Sequence, residues 1–415
     1  MKALRIGFLL GFRQIQRANF WTTTLIIFVM MLTFLNLIAV SGILVGLIEG
    51  SERALQKKSL GDIVLTELAD EDYILETTSI VKVLETFPEI TNYSVRFKGS
   101  AQLEANYQER RDLSGERDIV TSSITGIDPI QEDNLSALSE TLIEGEYLDP
   151  NEEGHILLGA YFIDRYADGF GDVFEALEDV YPGDSVRMTQ NGITKEFIVK
   201  GIVSSKVDEI NLNSFIPERE FRRLFGRFDR NADQIVLRLD ENISPEEMKQ
   251  LLIEANLDDY AKIQTFQESL PKFLIDIKNT FSLLGTMIGS IGLVVASITI
   301  FIIIFINAIS RRQQIGILKG IGIDRHVIQI AYVLQAAFYA LAGSALGALI
   351  TYGFLVGYFD RNPIDFPFSD GILVAEPLGT LYRFIILFII TLFAGFIPAW
   401  IIVKQNTLNS ILGRK

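Results

Sequence analysis

Four stretches of this 415-residue chain carry no charged side chain over lengths that reach or exceed the hydrocarbon width of a bilayer: residues 18–48, 279–310, 327–359 and 384–403. About 20 apolar residues at 1.5 Å rise per residue cross that width, so each run predicts a transmembrane helix. The first three are longer than needed, which predicts tilt or projection beyond the lipid. The first run is too apolar and too long for a cleavable signal peptide, and no small-residue cleavage site follows it. Mean hydropathy is positive, at +0.29, and 49% of residues are apolar. The apolar residues are concentrated in these runs.

Lysine and arginine set the orientation. Residues 1–17, 311–326 and 404–415 hold eleven basic residues against one acid, Asp324. The positive-inside rule makes these segments cytoplasmic. A multi-pass protein of the cell (inner) membrane follows, with both termini inside. Residues 49–278 and 360–383 are then outside. The net charge of −15 and pI near 4.8 argue against nucleic acid as a partner. With no cysteine and two histidines, a thiolate or multi-histidine metal centre is excluded.

Residues 49–278 are long enough to bury a core of their own. Residues 62–65, 78–87 and 90–97 read as strand, helix and strand. Residues 234–237, a helix after Ser244 with Glu247 in capping-box position, and residues 260–266 repeat that pattern. The repetition predicts two related β-α-β lobes bracketing the insert. Between them lies an inserted β-rich subdomain: strands at 100–109 and 119–127, residues 156–159 leading into a helix through Tyr161, Phe162 and Tyr166, and a hairpin in which 185–189 and 194–203 flank Gln190-Asn191-Gly192. The fold class is therefore four membrane helices plus an α+β extracytoplasmic domain. Residues 49–59 and 266–278 read as helical stalk ends, expected to extend the spans out of the lipid.

Residues 311–326 are too short for a domain, yet both basic and apolar. Ile315, Ile317, Leu318 and Ile321 cannot all enter lipid while Arg311, Arg312 and Lys319 stay in water. Two arrangements satisfy this: a short helix docked into a groove of another protein, or an interfacial helix whose basic residues snorkel among headgroups. On the docking reading, Leu318→Asp weakens partner binding. Gly285 and Gly289, Gly343 and Gly347, and Gly353 and Gly357 form GxxxG pairs that let helices approach closely, within the chain or between chains.

No P-loop, H-E-x-x-H or G-x-S-x-G motif occurs, so no ATPase, zincin or nucleophile-elbow chemistry is expected of the chain itself. The charge-free runs also argue against an ion path through the spans.

The order external domain, span, RRQQIGILKGIG, span resembles the FtsX-like permease family of ABC transporters, of MacB and LolC–LolE type. Arg311, Ile315, Gly316, Ile317, Leu318, Lys319, Ile321 and Gly322 match that family's pattern. Gln314 stands where an acid is usual, and Gly320 where alanine is. Residues 181–203 and 215–239 are similar to the family's MacB-like periplasmic core domain. The N-terminal stretch, with Leu4, Phe8, Phe12 and Ile15 at helical spacing, is similar to a helix lying along the inner leaflet.

The resemblance implies that residues 311–322, with Arg312 and Gln314 among them, form a coupling helix against a separate ABC ATPase subunit. It implies that this chain binds no cofactor, ATP acting only through that partner. A second permease protomer (copy or paralogue), membrane lipid and an extracytoplasmic adaptor or cargo are the other expected partners. The implied function is a mechanotransmission-type permease subunit moving a lipoprotein, lipid, peptide or small toxic compound. Two alternatives remain: a non-transporting regulator of a cell-wall hydrolase, disfavoured by the large insert, and a membrane-anchored receptor or scaffold without an ATPase.

Overall fold

Residues 2–17, 20–108, 117–167, 175–310, 312–362, 364–366, 369–371 and 373–404 are described by the computed structural model of the chain. They divide into a helical unit (Met1–Gly50, Ile275–Phe366 and Asp370–Lys415) and an α/β unit (Ser51–Leu274 with Pro367–Ser369).

Among the described residues, four helices are long and apolar enough to cross a membrane. Span one is Phe20–Leu55 and span two Lys272–Ser310. Span three starts as Arg325–Ile350 and continues through a π-helical turn, Thr351–Leu355. Span four is Pro377–Lys404. Its helix begins at a proline, a residue suited to a first helical position because it needs no N–H partner there. The helix therefore starts well before residue 384 and takes in Arg383, a charge that the charge-free run placed in the preceding loop. The Arg383 Nη2 donates to Ser41 Oγ of span one at 2.6 Å.

The helices pack around Met30 and Phe34 of span one, Ile300 and Ile304 of span two, Tyr339 of span three and Leu387 of span four. Glycines make the close approaches. A Cβ on Gly289 would meet Leu37 at 3.4 Å, and one on Gly347 would meet Phe34 at 2.9 Å. Gly285 faces Ser41, and Gly343 faces Met30. Both GxxxG pairs thus serve packing within the chain, while Gly353 and Gly357 meet no described atom within 4 Å. A further pair went unread in the sequence. Gly7 and Gly11 seat the N-terminal helix Lys2–Gln16 against Ile330 and Leu334 of span three, leaving Phe8 and Phe12 exposed.

Among the described residues, the α/β unit has ten strands: β1 Ile63–Thr66, β2 Ile90–Glu104, β3 Ile119–Ile127, β4 Leu142–Gly145, β5 His155–Gly159, β6 Ser185–Gln190, β7 Ile193–Val203, β8 Asn213–Pro217, β9 Gln234–Leu239 and β10 Lys262–Thr265. Both expected β-α-β units are present, but they do not form two lobes. The strands run in the order β10-β1-β9-β2, all neighbours antiparallel. Each unit's crossover leaves a one-strand gap between its own strands, and a strand of the other unit fills it, as in a split β-α-β sheet. Ile63, Leu65, Ile235 and Leu237 bury one face of this sheet with Ile80 and Leu84 of helix Thr77–Leu84 and Met248 and Leu252 of helix Pro245–Glu254.

The strand expected at 100–109 is the second half of β2, which runs unbroken through Gly99. A side chain at Gly99 would strike the Phe225 ring. This half of β2 pairs with β3, β3 with β8, β8 with β5, β5 with β7, β7 with β6, and β6 with β2 again. The pairing closes a six-stranded barrel, with β4 added on β7, and closure removes exposed strand edges. Leu103, Ile124, Leu158, Met188 and Phe197 are buried together in its core. Asn191 and Gly192, at φ 47° and 81°, make the expected β6–β7 turn. The helix expected through Tyr161 is instead two 3-10 turns, Ala160–Phe162 and Asp164–Tyr166.

Candidate functional site

Helix Arg312–Gly320 sorts its apolar residues onto two sides. Ile315 is 3% exposed and belongs to the buried cluster of the helical unit with Ala308, Ile328 and Val403. Leu318 and Ile323 pack against the same cluster, and Gly316 is buried. Ile317 is 53% exposed and Ile321 71%. They stand four residues apart, hence on one helix face, and Gln313, Gln314 and Gly320 are exposed beside them. Of the four apolar residues that the sequence reading grouped together, two hold this helix to its own chain and two are offered outward.

The end of the helix is built for a sharp reversal. The Ile323 N–H donates to the Leu318 carbonyl at 3.0 Å and the Gly322 N–H to that of Lys319 at 3.1 Å. Gly322 has φ +90°. This is a Schellman ending, in which a left-handed glycine lets two terminal carbonyls find donors and brings Leu318 and Ile323 together. One residue further on, the Asp324 carboxylate accepts from the His326 N–H at 2.9 Å and caps span three. Gly322 therefore has a local structural task. Ile323 was not singled out in the sequence and Asp324 only as the lone acid among basic residues, although glycine, an apolar residue and a capping aspartate in succession are a legible helix-stop, helix-start signal.

Lys319 does not project from the exposed face. Its Nζ donates to the Val403 carbonyl at 3.0 Å, in the last turn of span four, where a cation suits the negative end of the helix. Gln314 is exposed and neutral where the resembled family has an acid. Arg311 and the Arg312 side chain lie outside the described residues. The outward surface is thus an apolar ridge with amides beside it. Among the described residues, it offers contact area and the carboxamides of Gln313 and Gln314.

A second feature lies in the α/β unit, where the chain enters it. Leu55 and Leu60 are buried with Val64, Leu157, Phe215 and Phe266. The helical backbone ends in a π turn, Gln56–Leu60, and the Arg238 Nη2 donates to the carbonyls of Gln56 at 3.2 Å and Lys57 at 2.9 Å, and to that of Leu135 at 3.1 Å. Lys58 Nζ reaches Glu140 at 2.8 Å. Side chains distant in sequence thus satisfy terminal carbonyls and clamp this helix end into the core of its unit.

Residues 286–407 match the family model of the FtsX-like permease C-terminal domain. Among curated relatives, the chain is 28% identical over 143 residues to the macrolide export ATP-binding/permease protein MacB of Pasteurella multocida (strain Pm70), a match covering 33% of this chain and 22% of that protein. It is 25% identical over 224 residues to MacB 1 of Yersinia pestis bv. Antiqua (strain Antiqua), covering 51% and 33% respectively. The matched part thus spans a third or less of these relatives' own length. Among solved structures, the periplasmic region of MacB from Actinobacillus actinomycetemcomitans aligns with 51% of this chain and 92% of that one, at 14% identity and a TM-score of 0.36.

Proposed function

We propose that this chain, an FtsX-like permease by its domain at residues 286–407, is the membrane subunit of a mechanotransmission-type ABC transporter whose ATP is hydrolysed by a separate ATPase subunit. The observation that carries the reading is the outward pair Ile317 and Ile321 on a helix whose opposite side is fixed in its own bundle. An apolar ridge at i, i+4 spacing is the form in which a helix fills a groove on a partner. A helix resting on headgroups is the competing arrangement. It gives no reason for the Lys319–Val403 bond, which holds the segment to the end of span four.

In this reading the coupling helix and both termini are cytoplasmic, and the α/β unit is outside. Displacement of the docked helix passes to span three through the Gly322 turn and to span four through Lys319. The clamped helix end at Leu55–Leu60 is the place where the external unit receives motion. The relatives are named for macrolide export, and a small toxic compound is the cargo class we favour for this chain.

Ile317→Asp and Ile321→Asp test the docking. Each should weaken pull-down of the partner ATPase by about thirty-fold, the scale of a 2 kcal/mol interface hot spot. Stimulated ATP hydrolysis should be lost in parallel, with normal expression and melting temperature. Leu318→Asp, in contrast, places a charge in the permease's own core and should lower its melting temperature. Wild-type binding and stimulation in both isoleucine variants would sink the proposal.

A further inference from the structure

A groove lies between spans one, three and four. It holds about 380 Å³, and Phe34, Ser344, Ala348, Tyr352, Thr380 and Phe384 are among the residues that line it. Small-molecule sites typically hold about 300–1,000 Å³. No charged residue is among its described lining residues. The Tyr352 hydroxyl donates to Thr380 Oγ1 at 2.7 Å and joins span three to span four. Tyr352 belongs to the π-helical turn of span three, an irregularity that recurs at functional sites. Ser344 stands about two turns before it on the same span. It is 3% exposed, and its Oγ is buried without a hydrogen bond to any described residue. Thr351, by contrast, donates from Oγ1 to the Gly347 carbonyl one turn back at 2.9 Å, the ordinary way a hydroxyl inside a helix is satisfied.

A hydroxyl left unpaired where lipid excludes water gains by any acceptor brought to it. We infer that this groove binds a small, neutral, apolar molecule with an acceptor oxygen, which enters from the lipid and takes its hydrogen bond from the Ser344 hydroxyl. Rotation about the single side-chain torsion of Ser344 brings Oγ round to the groove that the residue lines. The charge-free lining gives nothing to hold an ion, and the rings of Phe34, Tyr352 and Phe384 suit an aromatic body. The acyl chain of a bilayer lipid has no acceptor to offer. Its ester carbonyls lie at the membrane boundary, the level at which tyrosines such as Tyr352 collect. Ser344 is about 12 Å further in, at 1.5 Å per residue. The inference deepens the cargo class proposed above and rests on that reading for the ligand's role. The binding itself does not depend on ATPase docking, so a failure of Ile317→Asp to act would leave it standing.

Benzophenone, two aryl rings on one ketone, serves as the probe. Under near-ultraviolet light its ketone oxygen takes a hydrogen atom from a nearby C–H and the two carbon radicals join, so the adduct keeps every atom of both partners. With the purified full chain in proteoliposomes, adducts located by peptide mass spectrometry should saturate and gather at residues 341–352 and 377–384. Ser344→Ala should raise the half-saturating concentration about fivefold, the scale of one hydrogen bond. Ala348→Phe should fill the groove and abolish saturable labelling. Diphenylmethane has the same shape without the oxygen, and it should block labelling equally well in wild type and in Ser344→Ala. Three results overturn the inference: adducts that spread without saturation over every lipid-facing span, a Ser344→Ala protein that labels like wild type, or blocking by diphenylmethane that weakens in Ser344→Ala as much as benzophenone binding does.

Discussion

Lys319 Nζ donates to the main-chain carbonyl of Val403 at 3.0 Å, tying helix Arg312–Gly320 to the last turn of span four. The lysine reads in the sequence as part of a partner-facing motif, yet its ammonium is turned into its own chain. Lys319→Met keeps the apolar stem and removes the charge. We expect a loss of about 0.3–1 kcal/mol, the usual worth of a cation at a helix C-terminus, seen as a lower melting temperature. ATPase affinity should stay within about twofold. A large loss of affinity with an unchanged melting temperature would put Nζ at the interface instead.

Gly322 supports the reversal between helix Arg312–Gly320 and span three at φ +90°. A Cβ there costs about 1–2 kcal/mol. Gly322→Ala should destabilise the purified protein by that amount, and Gly322→Asn by less, since asparagine visits left-handed backbone more readily. Thermal unfolding in detergent ranks the three. Equal stability of all three would remove the glycine's conformational role.

In the α/β unit, Arg96 reaches both carboxylate oxygens of Glu132, from Nε at 2.8 Å and Nη2 at 2.6 Å, with both side chains buried. Burial opposes the Glu132 charge, but the guanidinium and the hydrogen bonds of Arg96, Ser94 and Ser136 outweigh it and hold this carboxyl below its ordinary range. A depressed pKa stabilises the fold fully above the unfolded value of about 4.3 and ceases to do so as pH falls through the folded value. Glu132→Gln strands the arginine and should cost about 3–5 kcal/mol at neutral pH. The gap between wild type and variant should narrow below pH ~4. Denaturation midpoints measured at several pH values give the comparison; a gap that widens in acid would contradict the pairing.

Orientation is checked with single cysteines at two exposed positions, Ser100→Cys in the α/β unit and Gln314→Cys on helix Arg312–Gly320. An impermeant thiol reagent should label the first in sealed cells stripped of any outer envelope. The second should react only once the membrane is opened. Labelling of Gln314→Cys in sealed cells would invert the proposed topology.

What the one-dimensional sequence determined is what depends on composition and short range. Four runs of apolar residues define four spans because lipid selects them by length alone. The Asn191-Gly192 turn and the strand-helix-strand patterns also follow from neighbouring residues. The sorting of Ile315 and Leu318 inward from Ile317 and Ile321 outward was decided by tertiary structure. Helical spacing defines two faces but does not say which one meets the rest of the helical unit. The same applies to the two β-α-β units. β1 and β9 pair across most of the α/β unit's sequence, and local patterning contains no record of which strand fills the gap left by a crossover. Arg383 fell on the wrong side of a boundary because a window of charge-free residues stops at any charge. A helix continues past one when a partner such as Ser41 waits on the next span.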